Sequence, residues 1–513
     1  MPTIFAIPSL DLAGMPPVAA LVSILSRTGD VIALSGELGA GKTTFARALI
    51  AHLLAEPDAE VPSPTFTLLQ PYETARFPVY HYDFYRLQSA DEVHELGFDD
   101  NLANGLSLIE WPERAVTVLP ADRLELRLDP VAGEPGLRRL TLTGLGSWAA
   151  RVERLLAIRG FLQSHAAADA SICFLQGDAS PRRYARLLRP GARPAVLMDA
   201  PRMPDGPPIR NGLPYSRMAH LAEDVRPFVA IASALRKAGL SAPEVYAADL
   251  AQGLLLIEDF GDTVFGREIA SGTSIADLYR PAVDALLTLR SAPAPELLPL
   301  GGGAAHRVPS YDAPALGIEV ELLTDWYWPA AKGSPCPPDD ARAFLQLFNS
   351  LFDRVLAARP GWVVRDYHSP NLVWLPQRQG VARVGVLDFQ DALRGHPAYD
   401  LVSLLQDARL DVPAELERQL RDHYCAAVQG SEQGFDAQEF ATGYAILGAQ
   451  RNTKILGIFA RLARRDGKRG YLAHVPRIWG YIERNLAHPE LAPLKAWFDR
   501  NFPRHIRTRP LPE

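Results

Sequence analysis

Residues 30–52 change character abruptly. The apolar run DVIALS gives way to a glycine-rich turn and then to TTFARALIAHLL, whose apolar residues recur at helical spacing. A strand, a loop and a helix are predicted in that order. PVYHYDFY and LSLIEW read as further strands, and LELRLDP with LRRLTLTGL alternates like a hairpin closing around Gly133 to Gly136. The first domain is predicted to end near Trp148. RVERLLAIRGFLQSH has the spacing of an amphipathic helix, and the strand SICFLQG follows it. ARPAVLMDAP and GLLLIEDFGD are predicted strands, with the helix RPFVAIASALRKAG between them ending at Gly239. Beyond about residue 270 the pattern turns mainly helical, interrupted by VVRDYHSPNLVWL and ARVGVLDFQ. A small sheet-bearing lobe followed by a helical lobe is expected. Ala292 to Pro309 and KGSPCPPDD read as surface loops.

Composition narrows the picture little. The chain has 513 residues, 48% hydrophobic and 22% charged, ordinary for a soluble protein with two to four domains. A net charge of -6 argues against a chain that coats nucleic acid. Cys173, Cys336 and Cys425 form neither a disulfide framework nor a zinc pattern, and suit a reducing cytosol. Asp11 and Asp30 interrupt the early apolar residues and no basic region precedes them, so a cytoplasmic protein without a membrane partner is expected.

The turn SGELGAGKTTF carries the first candidate chemistry. Gly36, Glu37, Gly39, Ala40, Gly41, Lys42, Thr43 and Thr44 make a phosphate-binding loop. Its glycines let backbone N–H groups face phosphate oxygens, and the helix beginning near Lys42 adds its positive end. Lys42 is expected to reach the β- and γ-phosphates of ATP, and the Thr43 hydroxyl to meet Mg²⁺. Such a site also needs a strand-end acid for the metal or the attacking water. Asp83 in HYDFYR and Glu110 in LIEW are the candidates, and either alone reads equally as an acid facing solvent. Thr65 in PSPTFT is a candidate γ-phosphate switch or simply a turn residue after Pro64.

Five ordered pieces, GELGAGKTTF, VPSPTFTLLQPY, HYDFYRL, ELGFDD and LIEWPER, resemble the TsaE (YjeE) family over roughly residues 1–150. That family is the ATPase component of tRNA threonylcarbamoyladenosine biosynthesis. The resemblance implies that Lys42 and Thr43 bind ATP·Mg²⁺ and that Thr65 is the switch threonine. It further implies that Asp83 and Glu110 serve metal binding and hydrolysis, and that Trp111 lies beside the nucleotide. The implied partners are TsaB- and TsaD-like proteins that modify adenosine 37, with tRNA met only indirectly.

A second constellation lies far downstream. Asp366 and Asn371 are five positions apart in RDYHSPN, and Asp388 opens DFQD twenty-two residues after Asp366 (388 minus 366). Phosphoryl transfer to a hydroxyl needs a carboxylate for the proton and oxygen ligands for Mg²⁺. Asp366 is the candidate base, with Asn371 and Asp388 the candidate metal ligands.

GDASPRRYARL, VLMDAP, LIEDFGD, RDYHSPNLVWL, GVLDFQDALRGHPAYDL and RNTKILGIFARLARRDGK resemble the aminoglycoside/choline kinase-like phosphotransferases. Among these they are most similar to the AmgK family of anomeric N-acetylmuramate/N-acetylglucosamine kinases. The resemblance implies that Ser180, Arg182, Arg183 and Tyr184 lie on the loop over the ATP phosphates. Glu258 to Phe260 would line the adenine hinge, and His368 would support the catalytic loop. Where such kinases bring a lysine on the third strand, this chain has Met198, and Val364 stands where a histidine is usual. Arg182 or Arg183 is then a candidate replacement cation.

The predicted fold class is α/β: an N-terminal P-loop NTPase domain, then a bilobal protein-kinase-like α+β domain. The expected division is 1–150 for the ATPase, 151–170 for a linker helix and 171–513 for the kinase, with lobes meeting near 265. For the acceptor, basic residues at 451, 454, 461, 464, 465, 468 and 469 are the main signal. They read either as a solvated helix face or as cations that meet an acidic sugar. Other acceptors, such as choline or an aminoglycoside, and a non-catalytic scaffold role for the second half are the alternative readings.

Overall fold

The computed structural model describes residues 2–56, 58–175 and 182–511. Close contacts gather Met1–Pro201 with Tyr246–Asp259 into one compact unit, and Arg202–Val245 with Phe260–Glu513 into a second.

The first unit holds two sheets. The larger has seven strands in the order Thr3–Leu10, Glu134–Gly144, Leu124–Val131, Val31–Gly36, Leu106–Glu110, Val79–Asp83, Leu69–Tyr72. Val31–Gly36 pairs in parallel with both neighbours, and Val79–Asp83 runs parallel to Leu106–Glu110. A parallel strand covered on both faces needs continuous apolar sequence, which is why Val31, Ile32, Ala33 and Leu34 are all buried. Leu124–Val131 and Glu134–Gly144 pair antiparallel as the alternation predicts.

The smaller sheet pairs Ser171–Leu175, Arg183–Leu188, Ala195–Asp199 and Leu254–Glu258 antiparallel. Helix Trp148–Ser164 leads into it and buries Trp148, Val152, Leu155, Ile158 and Phe161, one stripe at helical spacing. A single hydrophobic core runs through both sheets: Leu21, Leu49 and Leu53 belong to the same cluster as Ile172, Leu187, Leu197 and Leu256. At the seam, Ser23 Oγ lies 2.6 Å from His52 Nδ1, and His52 Nε2 lies 2.5 Å from the Ile172 carbonyl oxygen.

The second unit is mainly helical. Its helix Ala437–Asp466 spans 30 residues and is buried along most of its length. A Cβ at Gly457 would stand 2.3 Å from the Leu322 carbonyl carbon, so glycine there permits the close approach of helix Ala313–Leu322. The expected loop Ala292–Pro309 instead contains a hairpin, Leu297–Gly301 with Ala304–Arg307. Gly301, Gly302 and Gly303 have φ of 86°, 56° and 81° and turn the chain. The glycine run that suggests a loop is what reverses the strands.

Candidate functional sites

The first site is built where strand Val31–Gly36 passes into helix Lys42–Leu54. Gly36, Gly39 and Gly41 have φ of 140°, 77° and 107°. At Gly36 a Cβ would stand 2.4 Å from the Leu128 carbonyl oxygen, so no other residue fits the turn. Lys42 is buried and donates to the carbonyls of Gly36 and Glu37 at 2.8 and 2.9 Å. Its ammonium also lies 3.5 Å from the centroid of the Trp111 ring. Burial lowers its pKa, a shift that the nearby Glu110, Glu113 and Asp83 oppose.

Four sequence candidates converge around it. Thr43 Oγ1 donates to Glu110 Oε2 at 2.8 Å, and Thr65 Oγ1 donates to Asp83 Oδ2 at 2.6 Å. Asp83 and Glu110 are buried, at the ends of paired strands in register with each other. Neither is an acid facing solvent. Glu37 and Ala40 lie in the turn, whose Ala40 N donates to Glu37 O at 3.1 Å, and Thr44 lies in the first turn of the helix. Sequence reasoning missed His81, whose Nε2 donates to Glu110 Oε1 at 3.0 Å. The period of two in VYHYD, which puts His81 on the face of Asp83, was its signal.

The second site sits in the helical unit. Strand Leu372–Trp374 pairs with Val384–Val386, and Leu387 N donates to the Asn371 carbonyl at 2.8 Å. This brings Asn371 next to the start of DFQD. Asn371 Nδ2 donates to the Asp366 carbonyl at 3.0 Å, so the three candidates share one hydrogen-bonded loop and hairpin. All three side chains are half-buried on a buried framework. Arg365 and Asp388 hold φ of 78° and 54°, unfavourable for side chains of their size. Gln390 Nε2 donates to Asp388 Oδ1 at 2.8 Å.

Buried carboxylates hold this strained loop. Asp400 accepts from Val364 N at 2.6 Å and Arg365 N at 2.9 Å. Asp407 accepts from Ser369 N and Oγ at 2.9 and 2.5 Å. Burial pushes the His368 pKa down, which keeps the ring neutral. Burial alone would raise the Asp366 pKa, yet the charges of Lys454, Arg365 and Arg451 bring it below the usual carboxylate range. The carboxylate is therefore ready to accept a proton at neutral pH.

Behind the loop stands Glu319, fully buried. It accepts from Lys454 Nζ at 2.8 Å, Gln450 Nε2 at 2.8 Å, Tyr311 Oη and Arg365. Sequence reasoning missed it, because GIEVELL reads as an ordinary helical stretch. Burial opposes its ionisation, but Lys454 and Arg365 outweigh that and take its pKa down to about 2 from 4.5. A depressed carboxylate stabilises the fold above its unfolded value, and that contribution fades as pH drops from about 4.5 to about 2. Glu319→Gln is expected to destabilise the protein by about 3–5 kcal/mol, since two buried cations lose their counter-charge. It should also flatten acid unfolding in that window, and circular dichroism melts against pH check both.

In the smaller sheet of the first unit, Met198 is fully buried in strand Ala195–Asp199 and brings no cation. Arg183 Nε donates to Asp199 Oδ2 at 2.8 Å, and Arg154 Nε of the linker helix donates to Oδ1 of the same carboxylate at 2.8 Å. The Arg183 guanidinium is thus engaged by the acid of VLMDAP. Arg182 and Tyr184 flank it, Glu258 ends strand Leu254–Glu258, and Phe260 opens the following segment of the helical unit. Ser180 lies outside the described residues. The basic run is not one solvated face: Arg464, Arg465 and Arg469 are exposed, whereas Arg451 and Lys454 are buried.

Comparison with known proteins finds two family matches on successive stretches of the chain, the second of which draws on both compact units. A model described as threonylcarbamoyl adenosine biosynthesis protein TsaE matches residues 14–137, and one described as phosphotransferase enzyme family matches residues 171–437. An N-acetylmuramate/N-acetylglucosamine kinase of Caulobacter vibrioides is 41% identical over 366 residues, covering 70% of this chain and 98% of its own. The protein of that name from Pseudomonas putida is 35% identical over 327 residues, 63% of this chain and 86% of its own. A tRNA threonylcarbamoyladenosine biosynthesis protein TsaE of Rickettsia prowazekii is 44% identical over 102 residues, 20% of this chain and 70% of its own. Among the described residues no helix is long and apolar enough to cross a membrane.

Proposed function

We propose two separate ATP-driven activities for this chain, which belongs to the phosphotransferase enzyme family through residues 171–437 and to the TsaE family through residues 14–137. The C-terminal activity is phosphorylation of the anomeric hydroxyl of N-acetylmuramate or N-acetylglucosamine, in cell-wall recycling. The observation that carries it is the joining of Asp366, Asn371 and Asp388 on one loop and hairpin. Asp366 accepts the C1 hydroxyl proton as that oxygen attacks the γ-phosphorus. The bond from phosphorus to the β,γ-bridging oxygen breaks, and ADP leaves with the electron pair. Asn371 and Asp388 offer the hard oxygen ligands that suit Mg²⁺, which, when bound, neutralises charge developing on the phosphates. Ser180, Arg182, Arg183, Tyr184, Glu258 and Phe260 belong to the ATP-binding part of this reading.

The N-terminal activity is ATP binding and hydrolysis that resets a TsaB/TsaD-like complex during threonylcarbamoylation of tRNA adenosine 37. Lys42 and the amides of residues 36–44 hold the phosphates. In this reading Thr43 and Glu110 would hold Mg²⁺, Glu110 or Asp83 would orient the water, and Thr65 would report the γ-phosphate, which the Thr43–Glu110 and Thr65–Asp83 hydrogen bonds support.

The test of the kinase reading is incubation of the purified protein with ATP, Mg²⁺ and a panel of amino sugars, choline and aminoglycosides. Phosphorus NMR should place the new phosphate on C1 of an N-acetylated amino sugar. Phosphate on choline or an aminoglycoside would refute the acceptor assignment, and no acceptor-dependent ADP at all would refute the activity.

A further inference from the structure

Each acid of the first site has one donor that nucleotide binding would take away and one that it would leave. Asp83 Oδ2 accepts from the Thr65 hydroxyl at 2.6 Å, and its Oδ1 accepts from the Tyr85 backbone N at 3.0 Å. Glu110 Oε2 accepts from the Thr43 hydroxyl at 2.8 Å, and its Oε1 accepts from His81 Nε2 at 3.0 Å. In the ATPase reading proposed above, both threonine hydroxyls turn to the nucleotide and its metal, so both of their bonds to the acids are given up. Asp83 then keeps a donor fixed in the backbone. Among the described residues, the donor that remains to Glu110 is His81.

Packing alone does not account for this ring. His81 is fully buried in strand Val79–Asp83, and its Nδ1 is inaccessible and without a hydrogen-bond partner. A carboxylate only accepts, so the proton in the 3.0 Å contact sits on Nε2, and Nδ1 bears the cost of burial with no bond in return. A leucine there would avoid that cost. The strand register sets the contact: Asp83 pairs with Glu110, and His81 lies two positions earlier on the face of Asp83, so its ring leans along the sheet to Glu110. We infer that His81 is a positioning residue of the ATPase, whose Nε2–H fixes the Glu110 carboxylate so that Oε2 stays aimed at the phosphate loop when the Thr43 hydroxyl leaves it. His81 acts through Glu110 and not on the nucleotide. This rests on the ATPase reading proposed above.

The test measures ATP hydrolysis without sugar by the full-length protein. His81→Asn, whose amide reaches the place of Nδ1 and not of Nε2, should lower kcat by about 10–100-fold, the usual cost of losing a partner that orients a metal-site ligand. KM for ATP should change little, because the phosphate loop and Lys42 are untouched. Calorimetry should likewise show ADP binding at wild-type strength, read as the part of the isotherm that Lys42→Ala abolishes. His81→Gln, whose amide reaches the place of Nε2, should recover most of the lost rate. Equal rates for the two variants, or ADP binding that weakens in step with kcat, overturns the inference, since the ring would then serve only packing. In the wild type, long-range ¹H–¹⁵N NMR should find a proton on His81 Nε2; a ring protonated on Nδ1 alone overturns it even where a variant fails to fold. If the wild type hydrolyses ATP no faster than Lys42→Ala, the ATPase reading falls and takes this inference with it; hydrolysis that His81→Asn leaves at the wild-type rate removes only the inference.

Discussion

Asp366→Asn is expected to lower sugar-dependent ADP formation by about 10²–10⁴-fold, the usual contribution of a positioned base. The amide keeps the shape of the side chain and the backbone contacts of its loop, including the bond from Asn371 Nδ2 to the residue 366 carbonyl. It removes only the capacity to take the proton. The effect should fall on kcat with little change in the KM for ATP, since the lost interaction belongs to the reacting hydroxyl. Because Lys454, Arg365 and Arg451 keep the Asp366 pKa low against burial, the wild-type rate should show no loss from its protonation across the neutral range. Steady-state assays with a coupled ADP readout decide it. A variant that retains wild-type sugar phosphorylation would remove Asp366 from the chemistry.

Lys42→Ala carries the other large effect. Truncation deletes the ammonium held between the Gly36 and Glu37 carbonyls and the Trp111 ring, and with it the cation proposed to meet the β- and γ-phosphates. Loss of one such preorganised donor costs about 10²–10³-fold in rate. ATPase activity measured without sugar should therefore fall by at least that much, while phosphorylation of the amino sugar continues through Asp366. Parallel loss of both activities would point to one shared catalytic unit. The variant should also unmask Trp111, so a shift in its fluorescence upon ATP addition should disappear together with binding.

Much of this was legible in the sequence because the relevant signals are local. The phosphate loop needs a strand, a glycine turn and a helix within about twenty residues, and each has its own pattern in DVIALSGELGAGKTTFARAL. Asp366, Asn371 and Asp388 were readable for a similar reason, since a short hairpin brings them together. What escaped is carried by tertiary contacts. Glu319 and Asp366 are 47 residues apart (366 minus 319), and nothing in GIEVELL announces that its acid becomes the counter-ion of Arg365 and Lys454. The pairing follows from the packing that Gly457 allows. Likewise, the row of basic residues from 451 could not be split into buried and solvated members by periodicity alone, because that helix is covered on more than one side.

The hydrophobic cluster common to the two sheets of the first unit has a practical consequence. A cut near residue 150 would bare Leu49, Leu53 and their neighbours on one fragment and Ile172 and Leu187 on the other. It would also part Arg151 from Asp30, to whose carboxylate it donates at 2.6 and 2.8 Å. Heating the intact chain should melt the phosphate loop's scaffold and the small sheet as one cooperative block, and each severed half should be prone to clump where the greasy flank has lost its cover.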